Sequence, residues 1–158
     1  MARILLVDDD DPFRKMLRLT LVKLEHDVVE AGNGREALKL QRAGGADLLL
    51  TDLVMPDQEG LETIQRFRRE FPAVRIIAMS GGGRINARDF LKIAGLMGAG
   101  HTLTKPFATT ELTAAIDRLL AGLGDSAAFA GQNMHSARQA PRSQAGGTAV
   151  ALPDPQIR

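Results

Sequence analysis

Ile4-Leu5-Leu6-Val7-Asp8-Asp9-Asp10-Asp11-Pro12 is the stretch whose reading decides the fold. Four consecutive apolar residues suit a strand buried on both faces, as strands of a parallel sheet are. The acidic run then ends the strand. Asp11-Pro12 opens a helix, with Asp11 suited to the N-cap and Pro12 to the first helical position, where no N–H is needed. Phe13, Leu17, Leu21 and Leu24 recur at helical spacing and give that helix an inner face. The unit is therefore strand, acidic turn, helix.

The same unit repeats along the chain. Residues 27–31 read as a second strand and 34–43 as a second helix, stopped by Gly44-Gly45. Residues 47–51 form the third strand, Met55-Pro56 breaks the chain, and a helix follows over about 60–71, ended by Pro72. Residues 74–79 are the fourth strand, Gly81-Gly82-Gly83 a loop, and the next helix runs to about Met97 before Gly98. Residues 101–104 are a short fifth strand, and the last helix spans about 109–123, with Leu112, Ile116, Leu119 and Leu123 facing inward. Five such units require an α/β fold: a doubly wound, five-stranded parallel sheet with right-handed crossovers and five helices on its two faces. The strand order 2-1-3-4-5 is a common solution and makes strands 1 and 3 neighbours at the switch point.

The chain has 158 residues and is 44% apolar, enough for one domain with a packed core. Residues 1–124 are expected to form that domain and 125–158 a flexible, disordered tail. Of residues 126–158, 21 are Ala, Gln, Ser, Gly or Pro, too little apolar surface to offset the entropy of ordering. Lys and Arg (20) nearly balance Asp and Glu (19), so bulk charge points neither to nucleic acid nor to a membrane surface. With no cysteine, disulfides and thiolate metal sites are excluded. No signal peptide or membrane-spanning stretch is legible, and a cytoplasmic protein is expected.

Four separated pieces converge on one chemistry. Asp8-Asp9, Asp52, Ser80 and Lys105-Pro106 each follow a short apolar run. The carboxyl ends of parallel strands lie along one edge, where such folds bind ligands. Asp9 and Asp52 offer hard oxygen ligands of the kind Mg²⁺ prefers, and Asp8 contributes directly or through water. Three close carboxylates repel one another, and a cation removes that penalty. Asp52, ending a central strand beside the Pro56 turn and thus open to solvent, is the best nucleophile for an aspartyl phosphate. The Lys105 ammonium and the Ser80 hydroxyl suit a phosphoryl group.

Taken together, Ile4 to Asp10, Asp52-Leu53-Val54-Met55-Pro56 with Gly60 following, Met79-Ser80-Gly81 and Lys105-Pro106-Phe107 resemble the response-regulator receiver domain of two-component signalling. The likeness covers residues 1–123, close in extent to the single-domain chemotaxis type, with a flavodoxin-like topology. It implies that Asp52 receives a phosphoryl group from a sensor histidine kinase or a histidine phosphotransfer protein. It further implies that Asp9, Asp52 and the Val54 backbone carbonyl bind Mg²⁺ with help from Asp8, that Ser80 is the switch hydroxyl and Lys105 the phosphate contact, and that the Lys105-Pro106 bond is cis. Output would pass through a downstream protein partner, at a surface of helix 4, strand 5 and helix 5, with a phosphorylation-dependent homodimer as one form. No DNA-binding output domain, no direct nucleic-acid contact and no membrane insertion are expected. The protein is expected to be a phospho-acceptor and not an enzyme in the ordinary sense.

Two departures stand out. The family often places an aromatic three residues before the lysine, and here that position is Thr102. The loop after Ser80 is glycine-rich, which predicts mobility without phosphate, and Arg84 within it is read as a surface residue. Two other function classes remain open. A phosphohydrolase of the haloacid-dehalogenase type would use Asp8-Asp9-Asp10 as its Asp-x-Asp nucleophile motif, against which Pro12 and the Asp52 stretch count. A receiver-like module could bind partners without phosphate, although the complete set of five polar residues argues otherwise. His101, with no His or Cys partner in the sequence nearby, is read as structural, and Arg66, Arg68 and Arg69 as a solvated helix face beside Glu62 and Glu70.

Overall fold

A computed structural model describes residues 1–56, 59–81 and 87–122. Within them, β1 (Arg3–Val7), β2 (Asp27–Ala31), β3 (Leu48–Asp52), β4 (Arg75–Gly81) and β5 (His101–Lys105) alternate with α1 (Asp11–Lys23), α2 (Gly34–Gly44), α3 (Glu59–Glu70), α4 (Ala87–Leu96) and α5 (Thr109–Ala121). The strands form one parallel sheet in the order β2-β1-β3-β4-β5. Both the expected class and the expected order hold.

Successive strand residues face opposite sides, so each central strand feeds two cores. Leu5, Val7, Leu49, Ile76 and Ala78 pack with Ala37 and Leu38 of α2, Ile64 and Phe67 of α3, and Leu91 and Ala94 of α4. Ile4, Leu6, Leu48, Leu50, Ile77, Met79 and Leu103 pack with Leu17 and Leu21 of α1 and with Leu112, Ala115 and Ile116 of α5. The continuous apolar runs of β1 and β3 are thus explained: neither face meets water.

The start of α1 differs from expectation. Asp10, not Asp11, is the N-cap, its carboxylate accepting from the Phe13 N–H at 3.0 Å. Asp11 is the first helical residue and pairs with Arg14. The reason lies two residues before the cap, where Asp8 Oδ1 accepts the Asp10 N–H at 2.9 Å and tightens the turn. Pro12 remains tolerated, because no N–H of the first turn has an intrahelical partner. The far end of α1 closes without a glycine. Glu25 takes a left-handed conformation (φ 63°), while the Glu25 N–H donates to Val22 O and the His26 N–H to Leu21 O.

Three strands run further than their apolar pattern suggests, β3 by pairing Asp52 with Met79. β4 continues through Ser80 and Gly81, and β5 through Lys105, because Ser80 stands opposite Thr104 and Gly81 opposite Lys105 in the ladder. The polar groups therefore sit on strand ends, held by backbone pairing. The glycine-rich loop beyond Gly81, Arg84, Leu123 and the tail 125–158 lie outside the described residues.

Candidate functional site

Pairing of β1 with β3 puts Val7 opposite Thr51, so Asp8 and Asp52 emerge side by side at the carboxyl edge. Asp8, Asp9 and Asp52 each offer a carboxylate oxygen within 4.8 Å of the others. Lys105 reaches them from β5: its Nζ lies 2.6 Å from Asp8 Oδ2 and 3.1 Å from Asp52 Oδ2. The ammonium also stands 4.1 Å from the centroid of Phe13, which meets Phe107 edge-on. A cation over an aromatic face is held in place as well as attracted.

The site is less open than the sequence suggests. Asp8 has no exposed surface, and the Asp52 side chain is only 9% exposed, because β3 continues through Asp52 and the turn folds back over it. Of the three carboxylates, Asp9 alone is exposed. Burial pushes the Asp52 carboxyl above the usual range, and the Lys105 ammonium is the largest opposing influence. The Val54 N–H, 3.2 Å from Asp52 Oδ1, also favours the charged form, and neighbouring Asp8 disfavours it. The remaining charge imbalance, three carboxylates against one ammonium, fits a hard divalent cation bound through oxygen.

Ser80 is fully buried, one residue beyond the Met79 that pairs with Asp52, and its hydroxyl lies 3.5 Å from Gly81 O. Val54 lies in the exposed turn after β3. The Lys105-Pro106 bond is cis, as the resemblance implied. Thr102, in mid-β5, is half-buried.

Four further neighbours complete the site. Asp10 caps α1 and donates its N–H to Asp8. Phe13 stacks on Lys105, and Arg14 donates to the Asp8 carbonyl. Gly60 lies so close to the strand end that a Cβ there would stand 2.5 Å from Asp52 O. Only Gly60 carried a sequence signal, its fixed distance after Pro56. The other residues read as expected or nearly so. His101 opens β5 at the end opposite Lys105, and burial with nearby Arg118 lowers its pKa. Arg66 and Arg69 lie near Glu62 and Glu70, but Arg68 is not a solvated side chain: it donates to Gly98 O at 2.7 Å and Pro72 O at 3.3 Å.

Residues 4–117 match the model of the response regulator receiver domain. The chain belongs to that family. NtrC of Azospirillum brasilense, a DNA-binding transcriptional regulator, is 38% identical over 119 residues, which are 75% of this chain and 24% of that protein. The transcriptional regulatory protein PhoP of Bacillus subtilis is 31% identical over 75% of this chain and 48% of its own length. The chain thus spans half or less of these two relatives. A CheY-like receiver domain protein from Methanospirillum hungatei superposes with a TM-score of 0.70 at 25% identity, over 78% of this chain and 97% of that one. Receivers are signalling proteins phosphorylated by histidine kinases on an aspartate, with Mg²⁺ at an acidic pocket. Among the described residues of this chain, Asp8, Asp9 and Asp52 form an acidic cluster that could hold a metal ion. Among the described residues no helix is long and apolar enough to cross a membrane.

Proposed function

We propose that this receiver is phosphorylated on Asp52 in a Mg²⁺-dependent reaction and signals by protein–protein contact. The observation that carries the reading is the Lys105 ammonium within 3.1 Å of both Asp8 and Asp52, at a cluster of three carboxylates. Asp52 Oδ forms the new O–P bond while the P–N bond of a donor phosphohistidine breaks, and the imidazole keeps the electron pair. Asp9, Asp52 and the Val54 carbonyl, with Asp8, would hold Mg²⁺, which supplies charge neutralisation to the phosphoryl oxygens. Lys105 neutralises a further oxygen, and the Ser80 hydroxyl exchanges its long contact with Gly81 O for a phosphoryl oxygen. Asp8 suits the nucleophile role less well, since it has no exposed surface and the Lys105 ammonium holds it more closely, at 2.6 Å against 3.1 Å for Asp52.

The donor is a sensor histidine kinase or a phosphotransfer protein. The output is a change in a partner-binding surface formed by α4, β5 and α5. Without an aromatic at Thr102, that change runs through Ser80 and the segment after it. Residues 1–124 are proposed to carry the phosphorylation and residues 125–158 to be dispensable for it. Intact-protein mass after incubation with acetyl phosphate tests the reading. One labile phosphoryl adduct is expected on the wild type and on a chain ending at residue 124. The adduct is expected to vanish with EDTA and in Asp52→Asn. An adduct that persists in Asp52→Asn would overturn the assignment.

A further inference from the structure

Every hydrogen-bonding group of Asp8 is engaged. Its N–H donates to Ala31 O at 3.2 Å, Oδ1 accepts from the Asp10 N–H at 2.9 Å, and Oδ2 accepts from Lys105 Nζ at 2.6 Å. The fourth bond comes from a side chain with no part in the chemistry: Arg14 Nη1 donates to the Asp8 carbonyl at 2.6 Å. Arg14 is itself clamped. Nη2 pairs with Asp11 Oδ1 and Nε lies 3.4 Å from Glu30 Oε1, while Glu30 Oε2 lies 3.1 Å from Arg18 Nε. Its side chain is only 13% exposed.

The Asp8 carbonyl belongs to the planar peptide that joins Asp8 to Asp9, so fixing that oxygen fixes the direction in which Asp9 leaves the strand. Asp9 needs such a constraint. Its carboxylate is exposed, and among the described residues no hydrogen bond or ion pair holds it. A guanidinium hydrogen-bonded through both Nη atoms, with Nε at ion-pair distance from Glu30 but without a hydrogen bond among the described residues, supplies that constraint in a fixed plane, which a lysine cannot reproduce.

We propose that Arg14 is a positioning residue for the cation site: by holding the Asp8 carbonyl it aims the Asp9 carboxylate at Asp8 and Asp52. The proposal rests on the Mg²⁺-dependent reading above. Titration calorimetry of the full chain with Mg²⁺ tests it on wild type, Arg14→Gln, Arg14→Lys and Arg18→Gln. Loss of an outer partner of a metal ligand weakens binding by about 10–100-fold, so Arg14→Gln is expected to raise Kd at least about tenfold. Arg14→Lys is expected to recover part of that loss, and Arg18→Gln, which touches Glu30 but not Asp8, to stay near the wild-type Kd.

Labelling by acetyl phosphate gives a second readout. In Arg14→Gln the Mg²⁺ concentration for half-maximal rate is expected to rise while the rate at saturating Mg²⁺ returns to that of the wild type. An unchanged Kd in folded Arg14→Gln, or a lowered plateau with an unmoved half-saturation point, would overturn the proposal. Should Arg14→Gln fail to fold, Arg14→Lys carries the test. Its Kd is then expected to exceed that of the wild type by about threefold, and an unchanged Kd overturns the proposal. A wild type that binds no Mg²⁺ would instead overturn the reading on which the proposal rests.

Discussion

Replacing Lys105 with methionine should make the receiver's stability depend on pH in a way the wild type's does not. Methionine keeps an apolar stem near Phe13 but removes the ammonium that lies 2.6 Å from Asp8 and 3.1 Å from Asp52. Lys105 is only 16% exposed, so solvent screens these pairs weakly. Breaking a buried pair by removing one partner costs about 3–5 kcal/mol. A carboxyl can escape part of that cost by taking up a proton. About three pH units separate an ordinary aspartate pKa from pH 7, at about 1.4 kcal/mol each, which caps the loss for one carboxyl at about 4 kcal/mol. The lost contact with the Phe13 face adds about 0.5–1 kcal/mol.

The sign of the pH dependence follows from Asp52. Burial already holds its carboxyl above the ordinary range, against the pull of Lys105, and the variant raises it further. A carboxyl raised in the folded state contributes stability below its unfolded pKa, and that contribution is lost as pH rises through the folded value. The deficit of Lys105→Met should therefore be about 3 kcal/mol at pH 7 and fall below about 1 kcal/mol near pH 4. Mg²⁺ at a hundredfold its Kd would restore about 2.7 kcal/mol at pH 7. Urea denaturation followed by far-ultraviolet circular dichroism reads all three, since the chain has neither Trp nor Tyr for intrinsic fluorescence. A deficit equal at pH 4 and pH 7, or under about 0.5 kcal/mol at pH 7, would refute the electrostatic argument.

Two glycines in helices should respond oppositely to alanine. At Gly60 a Cβ would stand 2.5 Å from Asp52 O and from Leu53 Cα, so the backbone that carries Asp52 must shift, and Gly60→Ala is expected to lose about 2–3 kcal/mol. At Gly95 nothing lies within 4 Å, and Gly95→Ala should gain up to about 1 kcal/mol from helix propensity; thermal melts that move both variants the same way would contradict the packing. Asn33 caps α2, accepting the Glu36 N–H at 2.8 Å, so Asn33→Ala should cost about 1 kcal/mol in urea, and no loss would show that the cap does not hold in solution. In EDTA at neutral pH, Asp52→Asn should melt higher than the wild type, because the buried carboxylate it replaces opposes folding there; the gain should shrink toward pH 4, and a lower melting temperature at pH 7 would reverse the inferred balance between burial and Lys105.

The fold was legible because its apolar runs are unbroken. Ile4 to Val7 and Leu48 to Leu50 leave no polar face, which only a sheet covered on both sides accepts. The site was legible at its strand ends for the same reason: a charge that interrupts such a run has to emerge at an edge. What the pattern concealed is the depth at which those groups sit. Asp52 read as a strand end open to solvent and Ser80 as the residue after a strand, yet ladder pairing carries β3 and β4 through them and buries both. The supporting contacts were concealed more fully. Arg14 reads as one cation on a charged helix, and nothing in its spacing shows that its guanidinium meets a backbone carbonyl six residues earlier. Asp10 and Asp11 were interchangeable as caps by residue type. The turn closed by Asp8 on the Asp10 N–H decides between them.

Borohydride reduction of the acetyl-phosphate-treated protein, followed by peptide mapping, tests the central claim most directly, since it converts an aspartyl phosphate to homoserine where it stands. Homoserine is expected at position 52 alone, dependent on Mg²⁺. Homoserine at position 8, or at no aspartate in a protein that has taken up phosphate, would contradict it.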